Sequence, residues 1–158
     1  MASDGSFEVV RSTDVDAPAE RVYALIARFK SWSEWSPWEG MDPNLERDYS
    51  GPEIGVGSKY AWKGNRKVGE GKMEITVAEP SSRVELDLHF LKPMKAKNVT
   101  IFELEQAAGG GTTVTWRMRG RQTGLMKLMG KIWTIDRMVG PDFEKGLAQL
   151  KAVAESPA

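Results

Sequence analysis

The chain predicts an α+β fold in which a curved antiparallel sheet holds a C-terminal helix. In the stretch 140–154, GPDFEKGLAQLKAVA, the residues Phe143, Leu147, Leu150 and Ala154 recur at spacings of four, three and four, with Val153 at the edge of the stripe. Between residues 59 and 122, alternating segments follow one another through short turns with no helical pattern between them, which implies an antiparallel meander. An amphipathic last helix needs an apolar face to lie on, and almost everything before it reads as strand.

In chain order, residues 7–16 place Phe7, Val9, Thr13 and Val15 on one strand face, interrupted by Arg11. Ala17-Pro18-Ala19-Glu20 opens a helix with Val22, Leu25, Ile26 and Phe29 on its buried face. Residues 30–38 form a short helical turn carrying Trp32, Trp35 and Trp38, stopped by Pro37. A short polar edge strand is expected at 44–50, and a strand with Tyr60 and Trp62 on one face at 59–63. Residues 67–78 set Met73, Ile75 and Val77 against Lys72, Glu74 and Thr76, and residues 83–91 set Val84, Leu86, Leu88 and Phe90 against Glu85, Asp87 and His89. Residues 95–106 are ambiguous, because Val99 and Ile101 oppose Phe102 and Leu104, and both faces are expected to be partly covered. Residues 112–122 alternate, with Val114, Trp116 and Met118 together. Residues 124–139 are apolar almost all round and read either as a helix broken at Gly130 or as an extension of the last helix. In that last helix, Pro141 is expected in the first turn, where the missing N–H costs nothing.

The 158 residues make one domain, expected over 6–155, long enough to bury a core. With 22 basic and 22 acidic residues, the total charge does not suggest non-specific nucleic-acid binding. Cysteine is absent and His89 is the single histidine, so neither a disulfide nor a metal site is expected. The N-terminus lacks the basic and apolar regions of a signal peptide, and no apolar run reaches spanning length. The expectation is a soluble cytoplasmic protein with no cofactor, either monomer or homodimer.

Particular residues then carry a resemblance. Val15-x-Ala17-Pro18-x-x-x-Val22-Tyr23 and Trp32-x-x-Trp35-x-Pro37-Trp38 resemble the N-terminal signature of the polyketide cyclase/dehydrase-type branch of the START-like (Bet v 1-like, SRPBCC) superfamily. Gly55-x-Gly57 with Trp62, Gly69-x-Gly71, the Glu79-Pro80 turn, the run Gly111 to Trp116, and the ending Asp136 to Lys151 look like the same branch. The resemblance implies a helix-grip fold: a seven-stranded antiparallel sheet curled around a long C-terminal helix, with two short helices after the first strand. It also implies an apolar cavity between sheet and helix. Members of that superfamily bind lipids, sterols, hormones or polyketides, and only some catalyse a reaction.

On that expectation the ligand site falls on Trp38, Tyr60, Trp62, Met73, Leu88, Phe90, Trp116 and Met118. It adds Met126, Met129 and Trp133 from the methionine-rich segment, and Phe143 and Leu147 from the last helix. Each either lines a cavity or fills the core. The void is expected toward Trp62, Phe90, Trp116 and Met118. Trp32 and Trp35 read as staples between the short helices and the sheet. His89 shares a face with Glu85 and Asp87 and reads as solvated, and no acid–base dyad or triad assembles by spacing. Arg117, Arg119 and Arg121 form a row on the outer face, either solvated or meeting an anionic partner. The function expected is binding of a hydrophobic or amphipathic small molecule without chemistry of its own. A cyclase or aromatase using Tyr60, Glu74, Arg119 or His89, and a protein-interaction module, are the alternatives.

Overall fold

The computed structural model describes residues 6–38, 42–65, 68–92, 96–121 and 132–156, with backbone alone at Ser6, Arg121 and 132–138. Its strands are β1 (Ser6–Val15), β2 (Glu46–Ser50), β3 (Lys59–Lys63), β4 (Glu70–Glu79), β5 (Arg83–Lys92), β6 (Ala96–Gln106) and β7 (Thr112–Arg121). They form one antiparallel sheet in the order β1-β7-β6-β5-β4-β3-β2. The meander from β2 to β7 runs in sequence, and β1 closes on β7. Helix α1 (Ala19–Ala27) and a 3₁₀ helix (Phe29–Glu34) follow β1, and helix α2 (Ile132–Glu155) ends the chain. This is the helix-grip architecture.

The two faces of the sheet follow the sequence alternation except after Ile75, where a bulge sets Val77, expected inward, beside Glu85 on the outer face and brings Ala78 to the core opposite Val84. Val9, Val15, Tyr60, Met73, Ile75, Val84, Leu86, Phe102, Leu104, Val114, Trp116 and Met118 all point into one buried core. β6 presents Phe102 and Leu104 inward together with two polar residues, Asn98 and Thr100. On its outer side Ile101 is buried between Glu85 and Arg117, while Val99 stays exposed.

α1 begins one residue later than its proline suggests, because Pro18 is extended (ψ 150°) and serves as the N-cap. Its C-terminal end is closed by side chains. The last carbonyls of a helix have no partner within it; here Trp35 Nε1 donates to the Leu25 carbonyl and Trp32 Nε1 to the Ile26 carbonyl, both at 2.8 Å. The Gly55 amide donates to the Ala27 carbonyl at 3.1 Å. Trp32 and Trp35 therefore do staple the short helices, through their N–H groups as well as their rings.

α2 differs from its sequence reading at one point. The helix extends back to Ile132, so Pro141 lies inside it rather than in its first turn. The imide nitrogen at 141 has no hydrogen for the carbonyl one turn earlier, so the helix forgoes a backbone hydrogen bond there. Phe143, Leu147, Leu150 and Ala154 are all at most 3% exposed, so the stripe makes the contact it predicts. Polar ties fix the helix: Arg11 meets Glu144 at 2.9 Å, which explains a charge on the inward face of β1, and Gln149 Nε2 donates to the Trp35 carbonyl at 2.7 Å. The Arg21 guanidinium donates to the carbonyls of Val153, Ala154 and Ser156, placing a cation at the negative end of the helix dipole.

Of the outer-face arginine row, Arg117 and Arg119 are paired, while the side chain of Arg121 lies outside the described residues. Arg119 and Arg117 both reach Glu8, Arg117 and Arg83 both reach Glu103, and Arg83 also meets Glu85. The hydrogen bond from Arg119 is the main reason that the Glu8 carboxyl is held below the ordinary glutamate range. A lowered folded pKa adds stability above the unfolded value and loses it as pH falls through the folded one. With Glu8 40% exposed, solvent screens the pair. Wild type should therefore exceed Glu8→Gln in thermal stability above the usual carboxylate range, by less than about 0.5 kcal/mol at neutral pH, and the two should converge as pH falls through the lowered Glu8 value.

Candidate functional site

Between the concave face of the sheet and α2 lies a cavity of about 390 Å³. Its floor is built from the inward side chains of β3 to β7. Along β5 the inward side chains change from fully buried (Val84, Leu86) to half-buried (Leu88, Phe90), and the latter two border the cavity. Cross-strand register sets these residues side by side: Tyr60, Met73 and Leu88 stand opposite one another on β3, β4 and β5, and the row continues through Asn98 to Gly120. A second row runs Ile75, Leu86, Thr100, Met118 and Val9. Tyr60, Met73, Leu86, Leu88, Thr100 and Met118 from these rows line the cavity, with Trp62 and Phe90 at its far end and Trp116 at its base.

Aromatic packing gives the base its shape. The Trp116 ring stacks on Phe143 of α2 with centroids 4.1 Å apart and planes 8° apart, and Trp35 and Trp38 present edges to it. The fit depends on Gly146, where a Cβ would come within 2.8 Å of Trp116 Cζ3. Trp116 Nε1 is the single buried side-chain nitrogen or oxygen among the described residues that finds no hydrogen-bond partner. Trp62, by contrast, donates through Nε1 to the Val68 carbonyl at 2.9 Å and sets its ring edge-on to Phe90. It lies flat across Gly71, where a Cβ would meet Trp62 Cζ2 and Cη2 at 2.5 Å and the His89 carbonyl at 2.7 Å. Gly71→Ala should thus move Trp62 out of the cavity wall and cost about 1–3 kcal/mol, read as a changed tryptophan emission with a lowered melting temperature.

Of the residues expected to meet a ligand, Trp38, Tyr60, Trp62, Met73, Leu88, Phe90, Trp116, Met118 and Phe143 line this cavity. Leu147 does not; at 2% exposed it belongs to the core, one turn past Phe143 and beyond the cavity. Met126 and Met129 lie outside the described residues, as does the side chain of Trp133. The wall also holds Trp32, which was read as a staple, and Leu86, which was left between core and cavity; Ser36, Leu45, Val68, Thr100, Val139 and Asp142 were not among the expected residues. Leu86 shares a face of β5 with Leu88 and Phe90 and was within reach of the alternation, whereas Thr100 lies on β6, whose alternation was ambiguous. Leu45, Val68 and Ser36 come from turns, where no periodicity points anywhere.

The chemistry of the wall is mostly hydrocarbon and aromatic ring. Its polar side chains are Ser36, Tyr60, Thr100 and Asp142 besides the indoles. Ser36 Oγ accepts from the Trp38 amide at 3.3 Å. Glu74, His89 and Arg119, the charged groups considered for a cyclase, point away from it. Glu74 and His89 border a separate groove with Lys59, Lys72 and Asp87 on the outer face, and Arg119 is held by Glu8. Alternation turned these three outward when it turned Met73, Leu88 and Met118 inward. Among the described residues no group of three or more His, Cys, Asp or Glu side chains is arranged to hold a metal ion, and no helix is long and apolar enough to cross a membrane.

With this geometry in hand, the chain can be set beside known proteins. The polyketide cyclase / dehydrase and lipid transport family model matches residues 6–155. No curated protein matches the chain. Among solved structures, the di-domain ARO/CYC protein BexL from the BE-7585A biosynthetic pathway superposes with a TM-score of 0.72 at 17% identity, over 98% of this chain and 52% of BexL. SA2116 from Staphylococcus aureus, a protein of unknown function, gives 0.71 at 15% identity, covering 98% of this chain and 97% of the other. Ara h 8.0201 gives 0.68 at 11% identity, covering 95% and 98%. Identities this low speak for the fold alone.

Proposed function

The chain belongs to the polyketide cyclase / dehydrase and lipid transport family, and on that premise we propose that it binds a hydrophobic or amphipathic small molecule in the cavity between the sheet and α2. The observation that carries this reading is the cavity's wall. A void of about 390 Å³ falls in the range of roughly 300–1,000 Å³ typical of small-molecule sites, and a wall of apolar rings with a few polar atoms is what such sites share. Glu74 and His89, two of the charged groups considered for acid–base work, border the outer groove instead, which favours a carrier or sensor over an enzyme.

A second reading, a cyclase-like enzyme, draws support from the likeness to the ARO/CYC fold and from Asp142, a carboxylate on α2 that borders the cavity. The two readings separate cleanly. Native mass spectrometry of freshly purified protein should reveal a co-purified apolar molecule, and fatty acids, sterols and aromatic polyketides should be screened by thermal shift. A ligand at a hundred times its dissociation constant adds about 2.7 kcal/mol, which raises the melting temperature by about 5–10 °C for a domain of this size. Turnover of a bound poly-β-ketone that Asp142→Asn abolishes would replace the binding reading with the enzymatic one. A protein that carries nothing and that no apolar compound stabilises would overturn both.

A further inference from the structure

Away from β1 and the start of β7, where the side chains of Arg11 and Thr112 are paired with Glu144 and the Ala17 carbonyl, β6 is where polar side chains project inward: Asn98 and Thr100 stand between strands that supply Leu86, Leu88 and Met118. Both are deeply buried, at 8% and 3% exposed. Neither side chain takes part in a hydrogen bond to a described residue, and neither has a polar atom that is at once sealed and unpaired. Thr100 borders the cavity, so its hydroxyl is unpaired but open to that space. Burying a hydroxyl without a partner costs about 1–3 kcal/mol, whereas valine has nearly the same shape, favours strands equally and carries no such penalty. Opposite Thr100 the flanking strands offer only Leu86 and Met118, so nothing in the sheet uses the hydroxyl.

We propose that the Thr100 hydroxyl is the polar recognition point of the cavity and selects hydrophobic molecules bearing a hydroxyl or carbonyl oxygen over pure hydrocarbons. This rests on the binding reading above and narrows its ligand class. A hydroxyl both donates and accepts, so it serves a ketone, a carboxylic acid, a phenol or a sterol alcohol, and Asn98, one inward step along β6, continues the polar line.

A matched pair of probes tests it: 2-naphthol and 2-methylnaphthalene, nearly equal in shape and differing in oxygen against methyl. Their dissociation constants are measured by fluorescence titration against wild type, Thr100→Val and Thr100→Ser. Thr100→Val is expected to weaken 2-naphthol about 3–10-fold while leaving 2-methylnaphthalene unchanged or slightly tighter, and Thr100→Ser to keep the wild-type ratio. A ratio that Thr100→Val does not alter, with both probes binding, would overturn the assignment of Thr100 and leave the binding reading standing. If neither probe binds wild-type protein, the binding reading itself fails, and this proposal with it.

Discussion

A Leu88→Trp variant is expected to keep its fold and lose ligand affinity by at least tenfold. Leu88 is half-buried at the centre of the inward row, between Met73 on β4 and Asn98 on β6, and its side chain borders the cavity. An indole there extends into the void instead of into packed neighbours. The usual overpacking cost of about 1–3 kcal/mol therefore does not apply in full, and newly buried ring surface contributes roughly 25 cal/mol per Å². The melting temperature should stay level or rise while titration with any ligand found by thermal shift shows weakened binding. Val139→Phe fills the same space from the helix side and should act in the same direction. Unchanged affinity in both variants would mean that the ligand binds elsewhere.

The largest loss of stability is expected from Trp35→Ala, at about 3–5 kcal/mol or more. Trp35 is fully buried, and its ring packs against Trp32, Phe102 and Trp116 at centroid distances of 4.7, 6.0 and 5.7 Å. Its N–H also closes the end of α1, and its own carbonyl receives Gln149 of α2. One side chain thus joins α1, the sheet and the last helix. Against a total stability of about 5–15 kcal/mol, the loss is a large fraction. Trp35→Phe separates the contributions: it keeps most of the ring contact but leaves the Leu25 carbonyl without its donor, for about 1–3 kcal/mol. Urea denaturation of the two variants measures both. A Trp35→Ala protein as stable as wild type would show that α1 is held by other means.

Much of this molecule is legible in its sequence. Alternation assigned Met73, Leu86, Leu88, Trp116 and Met118 to one face, and the apolar stripe of α2 assigned Phe143 and Leu150 to another, because both patterns follow from the backbone period alone. The start of α2 was not fixed by sequence: Pro141 pointed to a first turn, and the structure bears out the other reading, that residues before it extend the helix, back to Ile132. The outer arginines show a different limit. Their common face was plain, but their neutralisation by Glu8 and Glu103 depends on which strands lie beside β7, and β1 is distant in sequence.

The sequence by itself determined the architecture, the inward faces and most of the cavity's apolar wall. Only the tertiary structure decided where packing stops and a void begins, that Leu147 belongs to core and Phe143 to the cavity, and that Thr100 borders that void with no hydrogen-bond partner among the described residues. The physical reason is that period and propensity act along the chain, whereas a cavity is a failure of side chains from distant segments to meet. Residues 36, 45, 68, 100 and 139 come to one place through the register of the sheet and the pitch of α2 across it.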